Sequence, residues 1–133
     1  MALHGAVMNR FKETMPEFDY ENPVHRQNVL GMAMHSADVS NPTLSFDLAK
    51  QWSLKIVDEF NNQVEKEEQF KVPVSEFMRV GDQIEGIKKN QVGFIAFVIL
   101  PLWNLLCEHV PEIQECADEV AANKSKWEEL TEI

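Results

Sequence analysis

The chain has 133 residues, with 22 Asp+Glu against 12 Lys+Arg and a formal charge of -10. That balance argues against binding to nucleic acid or an anionic membrane, since both need clustered cations. It leaves room for a small phosphate-bearing substrate if bound metal ions supply the positive charge. Apolar residues make up 44% of the chain, so it should form one globular domain with a modest core rather than a disordered or low-complexity segment.

Leu3, Val7, Phe11 and Met15 recur at spacings of four, which predicts a helix over residues 2–15 ended by Pro16. Asn22-Pro23 reads as an N-cap followed by proline at the first helical position. The helix it opens runs to about Ala37, with Val29, Leu30, Ala33 and Met34 expected on the buried side. Gly31 lies within it and costs roughly 1 kcal/mol against alanine unless something packs closely there. Asn41-Pro42-Thr43 is a turn, and Ser45 is a plausible next N-cap with Asp47 in the first helical turn. Ala49, Trp52, Ser53, Ile56, Phe60 and Gln63 then share one stripe of a third helix. Residues 70–81 are irregular. From about Ile87 the chain is helical and nearly all apolar to Leu106, with Pro101 expected to kink it. Val110-Pro111 breaks the pattern before an acidic last helix, whose inner side should carry Ile113, Ala117, Val120, Ala121 and Trp127. No strand-like alternation is present, so the fold class is all-α, an irregular multi-helix bundle.

Cys107 and Cys116 are nine residues apart, or about 13 Å along a continuous helix. That is too far for a disulfide unless the chain bends between them. They read as free thiols in a reducing compartment, which makes the expected location cytoplasmic. The first residues lack the pattern of a signal peptide. The longest apolar run, residues 92–103, is too short to span a bilayer, so no membrane contact is expected from this chain.

Phosphate loops, G-x-S-x-G, H-E-x-x-H and EF-hand loops are all absent. The chemistry concentrates in two stretches. In the first, His35, Asp38 and Asn41 fall within seven residues. A carboxylate at the end of an apolar helix is costly to bury unless a metal, a cation or hydrogen-bond donors meet it. Asp38 is therefore the best ligand candidate, although on spacing alone the commoner role is a helix or turn cap. His35 could orient a ligand or a hydroxide, or be a satisfied core histidine. In the second, Gln91 and Phe94 sit at i and i+3 on one helical face. A glutamine amide offers a donor and an acceptor in one plane and a phenylalanine a flat apolar surface, so together they could grip a purine. The plainer alternative makes Phe94 a core residue. Trp52, Ile56 and Phe60 also read first as core.

Taken in order, His35-Ser-Ala-Asp38-Val-Ser-Asn41-Pro-Thr, Gln51-Trp52-Ser53, Glu59-Phe60 with Gln63, Gln91-Val-Gly-Phe94-Ile and Pro101-Leu-Trp103 resemble the catalytic domain of the class I cyclic-nucleotide phosphodiesterases. The resemblance runs from about Met1 to Trp127. It implies hydrolysis of cyclic AMP, cyclic GMP or both to 5′-monophosphates by a metal-activated hydroxide. The cofactors it implies are two divalent ions, zinc with magnesium or manganese. Asp38 matches the family's last metal-ligating aspartate, with His35 behind it. Gln91 matches the purine-binding glutamine, and Phe94 and Ile56 the two sides of the clamp around the base. Asn41, Phe60 and Met78 match pocket residues, with Trp52 and Ser53 as pocket support.

Two departures stand out. Val64-Glu65 replaces the usual Gly-Asp after Gln63. The H-N-x-x-H and H-D-x-x-H segments, which supply the general-acid histidine and most metal ligands, belong upstream of the matched region. The chain thus reads as the C-terminal portion of a catalytic domain, residues 1–133 forming a single fragment whose partner is the domain's N-terminal half. The isolated residues are then expected to bind metal poorly and to be inactive. The alternative is a non-catalytic acidic helical module that binds a protein through its apolar faces.

Overall fold

The computed structural model describes residues 3–132, which are helical throughout apart from short connections. The α-helices are α1 (His4–Thr14), α2 (Pro23–Asp38), α3 (Phe46–Gln69), α4 (Ile84–Phe94), α5 (Leu100–Cys107) and α6 (Gln114–Glu129). Short 3₁₀ turns lie at Met15–Glu17, Asn41–Thr43, Glu76–Met78 and Pro111–Ile113, and a π turn at Ile95–Ile99. Among the described residues there is no strand, so the chain is all-α.

Local rules account for several boundaries. Asn22 accepts hydrogen bonds from the Val24 and His25 amides at 2.9 and 3.4 Å, satisfying donors that the first turn of α2 leaves unpaired. Pro16 falls in the 3₁₀ turn that ends α1, and Pro111 opens the turn leading into α6. The predicted helix start at residue 2 lies outside the described residues. Gly81 adopts φ 76°, and the Asn61 side chain closes both of its backbone groups at 2.9 Å. Helix α4 begins just after, at Ile84, earlier than the apolar pattern suggests.

The apolar run forms the centre of the molecule. Ile87, Ile95, Ile99, Leu102 and Leu106 are buried along one side, against Val57 of α3 and Val120 and Trp127 of α6. Pro101 has no N–H, and its ring crowds the carbonyl four residues back. The chain accommodates it with the wider π turn, in which the Leu100 amide donates to the Ile95 carbonyl. The continuous helix Ile84–Cys107 is 24 residues long, longer than the apolar run read from the sequence and enough by length and composition alone to cross a bilayer. Its inner side is the core just described. Past Cys107 the chain turns back, so the two cysteines are not on one helix; both are free thiols. Burial raises the Cys107 thiol above its ordinary value, which keeps it protonated and unreactive.

Three predicted faces are corrected. In α2 the residues facing inward are Met32 (0% exposed) and Ser36, whereas Leu30 and Met34 are 65% and 71% exposed and Ala33 is exposed too. The side of α2 that meets α1 is covered, and there Asn28 donates to the Thr14 hydroxyl at 2.9 Å. In α3 the buried stripe is Ala49, Ser53, Val57 and Val64, with Trp52 turned out. Val64-Glu65 lies within unbroken helix, Val64 being core. In α6 the inner residues include Asn123, not Ala121.

Gly31 lies on the exposed side of α2, and a Cβ there would meet nothing within 4 Å. Gly31→Ala is therefore expected to stabilise the chain by ~0.5–1 kcal/mol, chiefly by restricting the unfolded backbone. A Cβ on Gly86, by contrast, would stand 2.6 Å from the Val80 carbonyl oxygen. Gly86→Ala should destabilise by ~1–3 kcal/mol. Urea denaturation of the two variants checks this, and a shift of both midpoints in the same direction would refute it.

Candidate nucleotide site

A cavity of about 520 Å³ opens between α3, α4 and the 38–41 corner; it is lined by Asp38, Val39, Asn41, Ile56, Phe60, Phe77, Asn90, Gln91, Gly93, Phe94 and Val98. Most of these are apolar, with a few polar groups among them, the usual character of a small-molecule site. Its volume is in the range that takes a drug- or nucleotide-sized ligand.

Gln91 is the buried polar group of this lining, at 4% exposure. The Ser53 hydroxyl donates to its Oε1 at 2.9 Å, and its Nε2 donates to Asn90 Oδ1 at 3.2 Å. Each bond uses part of what the amide offers, leaving an acceptor lone pair and one N–H for a ligand. Ser53 thus reaches the cavity through Gln91. Phe94 lines the cavity one helical turn on. Ile56 and Phe60 line it from α3, and Phe77 packs edge-on against Phe60 with ring centroids 6.5 Å apart.

The segment carrying Phe77 is tied to α3 by charge and hydrogen bonds. Glu67 accepts from the Ser75 amide at 2.7 Å and from its hydroxyl at 3.0 Å. With the Gln63 amide, these donors hold the Glu67 carboxyl below its ordinary value. Arg79 pairs with Glu68 and Glu76 at 2.8 and 2.9 Å. Sequence reasoning singled out Met78 where the cavity lining takes its neighbour, Phe77. In a 3₁₀ turn adjacent residues point in different directions, and hydrophobicity alone does not tell which one faces the cavity.

Asp38 lines the cavity but is exposed, so the expected burial cost does not arise. It is the last residue of α2, where a carboxylate opposes the helix dipole. Among the described residues it makes no hydrogen bond and no ion pair, and the α2 terminus is closed by the Val39 amide donating to the Ala37 carbonyl. The capping role is therefore excluded. His35 and Trp52 lie outside the lining. Trp52 is 53% exposed with the Lys55 ammonium over its ring at 5.8 Å. The His35 Nε2 stands 2.8 Å from the His4 Nδ1 across the α1–α2 contact.

That histidine contact needs one nitrogen protonated and the other bare. Burial, then the neighbouring His35, hold His4 below its ordinary value. A base with a lowered folded-state pKa takes up its proton more readily when unfolded, so its contribution to stability is lost as pH falls through the ordinary histidine value. Chain stability should thus fall between roughly pH 7 and pH 5. His4→Gln should flatten the dependence in thermal melts; an unchanged slope would refute the assignment.

Among the described residues no group of three or more His, Cys, Asp or Glu could hold a metal ion. The cavity lining has one carboxylate, Asp38, and no histidine. These residues alone do not make a metal centre.

The sequence matches the model of the family described as 3'5'-cyclic nucleotide phosphodiesterase over residues 1–120. It is 29% identical over 127 residues to the cGMP-specific 3',5'-cGMP phosphodiesterase 3 of Dictyostelium discoideum, covering 96% of this chain and 27% of that protein. It is 30% identical over 135 residues to the human high affinity cGMP-specific 3',5'-cyclic phosphodiesterase 9A, covering 100% of this chain and 22% of that protein. The chain therefore spans about a quarter of the length of these relatives. The crystal structure of the phosphodiesterase domain of the RhoPDE fusion protein from the choanoflagellate Salpingoeca rosetta superposes with a TM-score of 0.89 at 34% identity, over 97% of this chain and 42% of that one. A family match over most of the sequence, joined to a shared all-helical fold, means that this chain belongs to the 3'5'-cyclic nucleotide phosphodiesterase family.

Proposed function

We propose that this chain forms the base-binding part of a phosphodiesterase site, and that the protein containing it hydrolyses 3',5'-cyclic nucleotides to 5'-monophosphates. The observation that carries the reading is the Gln91 amide, buried in a largely apolar cavity and retaining one donor and one acceptor. A purine presents a donor and acceptor along its edge and an apolar face on either side. Gln91 would meet the edge, Phe94 and Ile56 the faces, and Asn41 a further polar group of the nucleotide.

The anionic phosphate is a different matter. No Lys or Arg lines the cavity, and the chain carries excess negative charge. In this reading Asp38 contributes one ligand of a divalent-metal centre, zinc with magnesium or manganese. The other ligands and the histidine that protonates the leaving oxygen come from outside these residues. Bound metals would neutralise phosphate charge and provide hydroxide at neutral pH. Leu30, Ala33 and Met34, exposed beside Asp38 on α2, fit as a surface on which the remainder of the domain packs.

The same exposed face is what favours the second reading, a non-catalytic module that binds a protein. Hydrolysis assays separate the two. The full-length protein should convert cyclic AMP, cyclic GMP or both to the 5'-monophosphate, and residues 1–133 alone should not. Failure of the full-length protein with either nucleotide across added Zn²⁺, Mg²⁺ and Mn²⁺ would favour the module.

A further inference from the structure

We propose that Asn123 is a positioning residue for this site: its buried amide fixes the 41–44 turn on α6 and thereby holds the cavity wall that carries Asp38 and Asn41. The proposal rests on the reading of the cavity as a cyclic-nucleotide site.

Asn123 is 0% exposed and shares the inner face of α6 with Val120 and Trp127. An amide on such a face is costly unless its hydrogen bonds are made. Its Nδ2 donates to the Pro42 carbonyl at 3.0 Å and to the Leu44 carbonyl at 2.7 Å, in a segment about 80 residues earlier in the chain, while its Oδ1 has no partner among the described residues. An apolar residue would fill the same space and leave both carbonyls unpaired.

The two carbonyls sit in the stretch joining α2 to α3. Its internal bonds are those of a short 3₁₀ turn, Thr43 amide to Ser40 carbonyl at 2.8 Å and Leu44 amide to Asn41 carbonyl at 3.3 Å. Among the described residues, Asn123 makes the only side-chain hydrogen bonds to this stretch from another element. One turn along α6, Trp127 packs edge-on against Phe46, the first residue of α3, with centroids 5.5 Å apart. One face of α6 thus fixes the connection by an amide at its middle and a ring at its end. The opposite wall, Gln91 and Phe94, is carried by α4 and does not depend on these bonds.

The consequence is a split between the walls. Loosening the turn should displace Asp38 and Asn41 while leaving the purine clamp in place. Misplacement of a reacting group by about 1 Å can cost ~10²-fold in rate. In the full-length protein, Asn123→Asp and Asn123→Leu should therefore lower kcat at least ~10-fold, with KM rising by a smaller factor through the displaced Asn41. Asn123→Asp adds a readout that packing alone would not move. Its carboxylate has no proton to donate to the two carbonyls, whereas the protonated acid has one. Amide exchange at Thr43 and Leu44, taken relative to wild type at each pH, should be fast in both variants at pH 7.5. It should slow again on acidification only for Asn123→Asp, with Leu102 as the unaffected reference.

Wild type alone also decides, should the variants not fold. Both Asn123 side-chain amide protons should exchange as slowly as core helix amides. Solvent-rate exchange there overturns the anchor, as does variant exchange at Thr43 and Leu44 that matches wild type. Variants with a loosened turn but wild-type kcat would overturn the link to the site. If wild type hydrolyses no cyclic nucleotide, the functional reading fails, while the exchange measurements still decide the anchor.

Discussion

Asp38→Ala in the full-length protein is expected to lower kcat for cyclic-nucleotide hydrolysis by ~10²-fold or more while KM changes less than about threefold. The expectation starts from what Asp38 does not do. It is exposed, among the described residues it caps nothing and pairs with no cation, and it stands at the helix end where its charge is unfavourable. A residue that breaks a local rule without local compensation points to a use beyond the fold. Its removal should therefore leave stability unchanged or raise it by ~0.3–1 kcal/mol, through relief of the α2 dipole. Asp38→Asn, of the same size, should lose as much activity, and both variants should retain less bound metal by elemental analysis. Loss of stability, or wild-type turnover in both, would contradict the assignment.

Gln91→Ala and Phe94→Ala in the same protein should each weaken nucleotide binding by ~1–3 kcal/mol, the first through lost base-edge hydrogen bonds and the second through lost stacking. That corresponds to roughly 5- to 150-fold in affinity. The two losses differ in their side effects. Gln91→Ala strands the buried Ser53 hydroxyl, whose hydrogen bond it removes, so some stability should be lost as well. Phe94 is only partly buried, and its truncation should cost less in folding. Steady-state kinetics with denaturation of each variant resolves the two contributions. Unchanged KM and kcat in both variants would remove the purine clamp.

Much of the fold was legible because local chemistry dictated it. Asn22-Pro23 can start a helix whatever packs on it, Pro16 and Pro111 mark ends, and an apolar run as long as residues 87–106 has to be central. The faces were harder. Leu30 and Met34 carry the same apolar signal as a core residue, but periodicity reports only that a surface is apolar, not what covers it. Trp52 misled in the same way: its spacing fits the α3 stripe, yet the buried line runs through the smaller Ala49, Ser53 and Val57. Most of the cavity residues came from the family motifs, and the structure brings Asp38, Asn41, Ile56, Phe60, Gln91 and Phe94 together in one lining. Phe77 and Asn123 were missed. For Asn123 a signal existed, since it stands three residues after Val120 and four before Trp127, on the inner stripe of α6. An isolated polar residue there asks for a partner, but the carbonyls it meets are about 80 residues away and cannot be found from spacing.

The central claim, that Gln91 receives the base of a cyclic nucleotide, is tested most directly by following its side-chain amide resonance in the labelled full-length protein. Titration with the cyclic nucleotide that the protein hydrolyses should shift the Gln91 NH₂ signals and the Phe94 ring together, saturating at one affinity. Ribose 3',5'-cyclic phosphate without a base should leave both in place. A Gln91 amide that stays unmoved while nucleotide binds and is hydrolysed would contradict the account.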